Sequence, residues 1–474
     1  MTDNIYRHDG TLSAIEFARK VAEDYDARDI CEPFAIIDLD VVKRQLDLWN
    51  IALPSVKPFY AVKCNPDLNI LRALSANGAC FDCASVTEIK QIFLDNLAKG
   101  NEIILAHPIK SRQCIEYAIE NGVTMMTIDS VEELRKIAGV TKKAKLILRI
   151  KVTGFDALVD LNKKFGADDV TSKLIFHEAK KIGVKIYGIS FHIGSGVVNC
   201  RPVALSLANA RKLLDYGRML GHPVDIIDIG GGFVPTSNTE FLKIGHFIEN
   251  TLSTCFEGVA VSVIAEPGRF LVTNAQYVAT RVSQVVLKSI SEDIPESYSI
   301  YLNDGVYGSF NFVLTEKRKA TGYPLFNERE GHMRADIWGP TCCSFDIIEV
   351  KFSHFSPIFF KTYSTQNPSY LQNLKSIFRL IVAFQHLEKV TGYCILTVEP
   401  ILYVCLLTST GFTLQMCSTS LQQRFGRYRT RFWDMGNDNS IITHAKKKLF
   451  LSLFSYKGSL MQCPKEDLCL LAHA

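Results

Sequence analysis

Pro58-Phe59-Tyr60-Ala61-Val62-Lys63-Cys64-Asn65 is a short, apolar, β-type segment that delivers a single amine just where a polar loop begins. If such a strand ends at the mouth of a barrel, desolvation disfavours the ammonium form of Lys63. A neutral, nucleophilic fraction then becomes available for Schiff-base chemistry with a carbonyl. Taken alone, the segment equally suits a strand-end lysine whose amine reaches into solvent. What terminates the other strands decides between these readings.

Outward from Lys63 the same unit recurs, an apolar β-rich segment followed by an amphipathic helix. The segments fall at residues 57–62, 79–81, 102–106, 124–128, 145–150, 186–191, 225–229 and 262–265. Helical stretches between them end near Gly78, Gly100, Gly122, Gly139, Gly183 and Gly221, where a left-handed residue satisfies the last helix carbonyls. Eight β/α alternations with short links predict a parallel (β/α)8 TIM barrel over residues 39–275. An open doubly wound sheet would need a glycine-rich turn after its first strand, and Lys63-Cys64-Asn65-Pro66 is not one. Upstream, residues 1–38 hold a helix at 12–22 and a strand at 34–37, the latter joining a second, β-rich domain over 276–346. That domain has strands at 277–286, 299–302 and 333–337, and a helix at 39–49 leads into the barrel.

The 474 residues are 47% hydrophobic and 22% charged, an ordinary globular composition with room for a barrel of about 250 residues and a second domain. With 53 basic and 49 acidic residues, the net charge of +4 is too balanced to imply nucleic acid or a membrane surface. Residues 1–9 are polar and lack the apolar core of a signal peptide, so a cytosolic setting follows. The 14 cysteines then read as reduced thiols, and no metal is expected. One apolar run, 393–412, is long enough to cross a bilayer, but Glu399-Pro400 inside it favours a strand pair.

Barrel enzymes carry chemistry at the C-terminal ends of their strands. Here these ends hold Asp82, Asp129, Arg149, His192 with Ser195 beyond it, Gly230-Gly231-Gly232, and Glu266-Pro267-Gly268-Arg269. Asp129, followed by Ser130 and Glu132-Glu133, reads better as the cap of the next helix. The triple glycine exposes backbone N–H groups in a nest suited to an anion, and with Ser195 and Arg269 it makes a phosphate site where barrels commonly hold one. An amine, a phosphate cradle opposite and a carboxylate between them describe a pocket for pyridoxal 5'-phosphate. In that pocket Glu266 would pair with the pyridinium nitrogen and His192 would stack on the ring.

These runs resemble the eukaryotic ornithine decarboxylase family, pyridoxal-phosphate enzymes with an alanine-racemase-type barrel and a β-domain. The resemblance is carried by residues 58–65, Phe81-Asp82-Cys83-Ala84-Ser85, Lys164-Phe165-Gly166-Ala167, 190–196, 228–233, 266–269, 303–311 and 338–342, and spans about residues 30–346. It implies the following set of roles. Lys63 carries the cofactor, Glu266 meets the pyridine nitrogen and His192 stacks on it. Ser195, the glycines at 230–232 and Arg269 hold the phosphate, with Asp82 and Arg149 supporting. Asp304 receives the distal ammonium of a basic amino-acid substrate, and Cys342 takes part in reprotonating the product. Asp304 and Cys342 would come from the partner subunit of a homodimer, with Lys164 and Asp346 able to pair between subunits. The implied activity is decarboxylation of ornithine to putrescine in polyamine synthesis. The alternative is an antizyme-inhibitor-like regulator that binds antizyme.

The chain also departs from that pattern. An aspartate that helps hold the distal amine is replaced by Cys343. From residue 347 the family's closing β-domain motifs, including a tyrosine that contacts the phosphate, have no counterpart. The tail, 347–474, carries 5 of the cysteines and a basic patch at Arg424, Arg427, Arg429 and Arg431, without steady strand alternation. It reads either as a divergent domain or as a segment unrelated to the fold.

Overall fold

The computed structural model describes residues 6–8, 10–152, 164–194, 200–291, 294–316, 319–325, 331–332, 334–348 and 350–352, with strand segments at 359–360, 379–382, 404–408 and 411–415. The chain opens with α1 (Ala14–Ala27), β1 (Phe34–Ile37) and α2 (Leu39–Ala52). Helix α1 starts at a reciprocal cap, Ser13 Oγ accepting from Glu16 N and the Glu16 carboxylate from Ser13 N at 2.8 Å.

Eight parallel strands then close a barrel: β2 (Val56–Ala61), β3 (Cys80–Cys83), β4 (Ile103–Leu105), β5 (Met125–Ile128), β6 (Lys145–Arg149), β7 (Ile186–Ser190), β8 (Ile226–Asp228) and β9 (Ser262–Ala265). Closure comes where β2 pairs with β9, Val56 beside Val263. The predicted strands are all present, with ends moved by a residue or two. Between them lie α3 (Leu68–Ala76), α4 (Val86–Leu94), α5 (Arg112–Glu120), α6 (Val131–Ala138), α7 (Asp169–Ile182), α8 (Arg201–Met219) and α9 (Asn238–Cys255), and after β9 the one-turn α10 (Arg269–Val272).

Serine caps launch many of these helices: Ser85, Ser111, Ser130 and Ser237 each accept from the N–H three residues on. The cap of α6 is therefore Ser130, not Asp129, whose Oδ2 instead accepts from Gly166 N at 2.9 Å. Left-handed glycines stand at 78, 122, 183 and 221, as expected, but Gly139 is right-handed with φ −76° and Gly100 begins a 3-10 turn. Position 100 needs glycine for a different reason, since a Cβ there would lie 2.4 Å from the Gly122 carbonyl carbon.

Because α10 is a single turn, the outer ring has a gap after β9. Helix α2 fills it, packed against α3, α9 and α10. Its fully buried Trp49 donates Nε1 to Val56 O at 3.0 Å and meets Phe233 edge-on at 4.9 Å, beside the stacked Phe241 and Phe270. Inside the barrel, Phe59, Cys80, Ile104, Ile147 and Ile264 form an apolar layer with Met125, Tyr187 and Ile226 at its edge.

The second sheet is built on β10 (Gln276–Ser291), which pairs antiparallel with β1 and with β11 (Ile294–Leu302). Helix α11 (Asn311–Glu316) follows, then β12 (Ala320–Pro324), β13 (Gly331–His332), β14 (Arg334–Trp338), β15 (Val350–Phe352), β16 (Phe359–Phe360) and β17 (Arg379–Val382). Strand β14 runs parallel to β11, while β17 pairs with both β10 and β12, and β15 lies along β12. Pairing thus continues past residue 346. Residues 394–474 form a separate unit, whose described part is an antiparallel hairpin of β18 (Val404–Thr408) and β19 (Gly411–Gln415). The apolar run 393–412 is a strand pair where it is described. The arginine patch at 424–431 lies outside the described residues, and among those described no helix is long and apolar enough to cross a membrane.

Candidate active site

Side chains two apart on a strand share a face, so the residues two positions beyond the apolar layer form the next interior tier. From Cys80, Ile147, Ile226 and Ile264 that step reaches Asp82, Arg149, Asp228 and Glu266. Lys63 lies four beyond Phe59, lifted over the rim by the 3-10 turn Val62–Cys64. The barrel therefore passes abruptly from an oily layer to one of three carboxyls, a guanidinium and an amine. Sequence reading singled out every member of this tier except Asp228, which the same period-two step identifies.

Lys63 Nζ is ion-paired with Asp82 Oδ2; the lysine side chain is 27% exposed and the aspartate not at all. Burial works against the ammonium, but Asp82 and Glu266 outweigh it and raise the amine's proton affinity. The expected neutral fraction is thus absent from the resting site, because burial was reckoned without the carboxyls that share it. Burial pushes Asp82 up against the opposing pull of Lys63 and Arg149. His192 is held at about 3, first by burial and then by Arg149 and Lys63, so its ring is neutral. Its Nδ1 accepts from Gly194 N at 3.1 Å. The Arg149 guanidinium lies 5.3 Å from the Phe165 ring centre, a cation–π contact. Phe165 itself sits in the loop that Asp129 secures through Gly166 N.

The glycine run is backbone by necessity. Gly230 is left-handed with φ +67°, and a Cβ on Gly231 would stand 2.6 Å from Glu266 O and 3.1 Å from His192 Nε2. Gly230 N donates to Asp228 Oδ1 at 2.8 Å. This close-set cradle, with Arg269 at the start of α10, suits an anion. Arg269 Nη2 lies 3.1 Å from Glu316 Oε1 at the end of α11, a partner no sequence signal announces. Ser195 lies outside the described residues. An amine on a strand end, an anion cradle and a buried acid between them fit the aldehyde, phosphate and ring nitrogen of pyridoxal phosphate.

Residues 39–273 match the model of the pyridoxal-binding domain of pyridoxal-dependent decarboxylases. The chain is 38% identical over 350 residues to the ornithine decarboxylase of Caenorhabditis elegans, covering 72% of this chain and 83% of that one. This chain belongs to the pyridoxal-dependent decarboxylase family. Within it, the chain is also 36% identical to antizyme inhibitor 2 of Xenopus laevis, over 69% of this chain and 72% of that one. Among solved family structures, the arginine decarboxylase of Paramecium bursaria Chlorella virus, bound to agmatine, superimposes with a TM-score of 0.69 at 26% identity, covering 80% of this chain and 96% of that one.

Of the residues that the family resemblance places in the β-rich part, Asp304 is buried, and its Oδ1 accepts from Gly305 N at 2.8 Å and Ser309 N at 3.1 Å. These bonds lie within its own turn. Cys342 is exposed, and Cys343 Sγ lies 2.9 Å from Tyr307 Oη. Asp346 is wholly enclosed: its carboxylate accepts from Val306 N at 2.8 Å, Thr341 N at 3.0 Å and Thr341 Oγ1 at 2.6 Å.

Proposed function

We propose that the chain decarboxylates ornithine to putrescine with pyridoxal phosphate carried on Lys63. The observation that carries this reading is the Lys63 amine held on Asp82 in a tier shared with Glu266 and Arg149. The bound cofactor supplies an electron-withdrawing ring that stabilises the charge left when carbon dioxide departs. The chain's own residues prepare that event. Lys63 must give up a proton before it can attack, and Asp82, already in contact, is placed to take it. Glu266 would meet the ring nitrogen, and neutral His192 would offer a flat face without adding charge. Gly231, Gly232 and Arg269 hold the phosphate, which requires Arg269 to exchange Glu316 for the incoming anion.

Asp304 and Cys342 act from the partner subunit of a homodimer. Exposed Tyr307, which touches Cys343, and exposed Phe345 and Ile347, shortly after it in the chain, offer apolar surface for a second copy at 46%, 69% and 36%. The nine described cysteines are all free thiols, which fits work in the cytoplasm.

Likeness to an antizyme inhibitor and the presence of Cys343 support a second reading, a regulator that binds antizyme without turnover. Purified protein should show cofactor absorbance that borohydride fixes to Lys63, together with carbon dioxide release from ornithine exceeding that from lysine or arginine. Fixed cofactor without release from any of the three, alongside capture of antizyme, would favour the regulator. Absence of both fixation and release would overturn the enzyme reading.

A further inference from the structure

Asp228 is 1% exposed at the end of β8, and it is an acid that the decarboxylation scheme does not use. Its Oδ1 is taken by Gly230 N, whereas Oδ2 is enclosed with no hydrogen-bond partner within ordinary distance. A buried carboxylate oxygen left bare is costly, and the cost falls if a proton is shared with a neighbouring acid. The neighbour is Glu266. Strands β8 and β9 run in register with Asp228 beside Ile264, and Glu266 N donates to Gly230 O at 2.8 Å, so the two acids crown adjacent strands on one interior face. The other charged groups facing them are Asp82 from β3, Lys63 beyond β2 and Arg149 from β6, with neutral His192 beyond β7.

We propose that Asp228 is a positioning residue that shares one proton with Glu266, so that the pair presents a single negative charge to the site. The O–H bond forms on Asp228 as it breaks on Glu266, and no proton leaves the pair. Glu266 can then stand as an anion toward a ring nitrogen without a second anion beside it. In the resting site burial, followed by Asp228 and Asp82, holds the Glu266 carboxyl well up, and burial lifts Asp228 to about 7, so the shared proton rests on Glu266. Like-charged acids in one enclosed space titrate as a pair, not singly.

The inference rests on the cofactor reading for its purpose, but its test does not. Infrared difference spectra of the full-length chain freed of pyridoxal phosphate should show one carboxylic-acid carbonyl component that bleaches as pH rises through about 7, as Asp228 ionises, and a second that persists above it, the shared proton on Glu266. Asp228→Asn keeps the acceptor for Gly230 N and gives Glu266 an amide donor, which stabilises its anion. Asp228→Asn should remove the component that bleaches near 7 and move the loss of the persistent Glu266 component to lower pH by about one unit or more, and Glu266→Gln should abolish the persistent component. Native protein without a component persisting above about pH 7, or a persistent component unaltered in whichever variant folds, overturns the proposal. Failure of borohydride to fix the cofactor to Lys63 would instead remove the cofactor reading and leave the shared proton standing.

Discussion

The Lys63 ammonium rests on Asp82 Oδ2, while the equally enclosed Asp82 Oδ1 has no hydrogen-bond partner. One carboxylate oxygen thus balances the amine that must become a nucleophile. In Asp82→Asn that counter-charge is gone, and burial, the largest single influence on Lys63, prevails. The pH giving half-maximal borohydride-fixable cofactor should fall by about one unit or more, and steady-state kcat/KM by about 100-fold as the lysine loses its orientation. An unchanged attachment profile would mean that Asp82 does not govern the amine.

Gly231→Ala puts a methyl 2.6 Å from Glu266 O, where backbone must yield. Overpacking of this kind costs about 1–3 kcal/mol, so cofactor affinity should weaken roughly tenfold or more, read by fluorescence titration of the cofactor-free protein. Native affinity in this variant would show that the cradle lies elsewhere.

Glu316→Gln releases Arg269 from a partner that competes with any incoming anion. A partly exposed pair is worth about 0.2–1 kcal/mol, so the variant should bind pyridoxal phosphate up to about fivefold more tightly, with the gain fading as salt rises. No gain at low salt would argue that Arg269 does not reach the phosphate.

Burial raises Asp228 from an ordinary carboxyl to about 7. The folded chain therefore binds more protons than the unfolded one between those limits, and this group's contribution to stability is complete below the unfolded value and lost as pH rises through about 7. The slope is at most about 1.4 kcal/mol per pH unit. Thermal melts of the cofactor-free chain should show Tm declining across that window, and Asp228→Asn should flatten the decline. Equal slopes in both proteins would contradict the assignment.

Cys343→Asp restores the acid that the family pattern carries beside Cys342. Ornithine should gain relative to lysine and arginine in kcat/KM, by about tenfold for one regained charge-assisted hydrogen bond. Equal effects on all three substrates would mean that position 343 does not contact the distal amine.

The barrel was legible because each strand is a short apolar run followed by a cap and an amphipathic helix, signals that act within about twenty residues of one another. Lys63, Asp82, Arg149 and Glu266 were legible as strand ends. Asp228 stands in the same register as the others, but the glycines that follow it carry the stronger local signal. Asp129 was misread because Asp129 and Ser130 can both cap a helix, and the bond to Gly166 that separates them is made 37 residues away. The proton affinity of Lys63 could not be read locally, since it depends on Glu266 from the opposite end of the barrel sequence. Strand β17 has no telling alternation and is defined by β10 and β12, partners far from it in sequence.

Helix α2 fills the outer ring between α9 and α3 although it precedes the first barrel strand. Its hydrophobic stripe, with Trp49 at the centre, is therefore covered only in part by α3, the one neighbouring helix made soon after it. During synthesis, residues 39–52 must wait for 238–255 and 269–272 to emerge, so ring closure is a long-range contact that comes late and leaves an apolar helix exposed meanwhile. Truncation before α9 would leave the rest of that stripe permanently uncovered, and such a chain should partition to chaperones or aggregates even with most of its barrel strands in place.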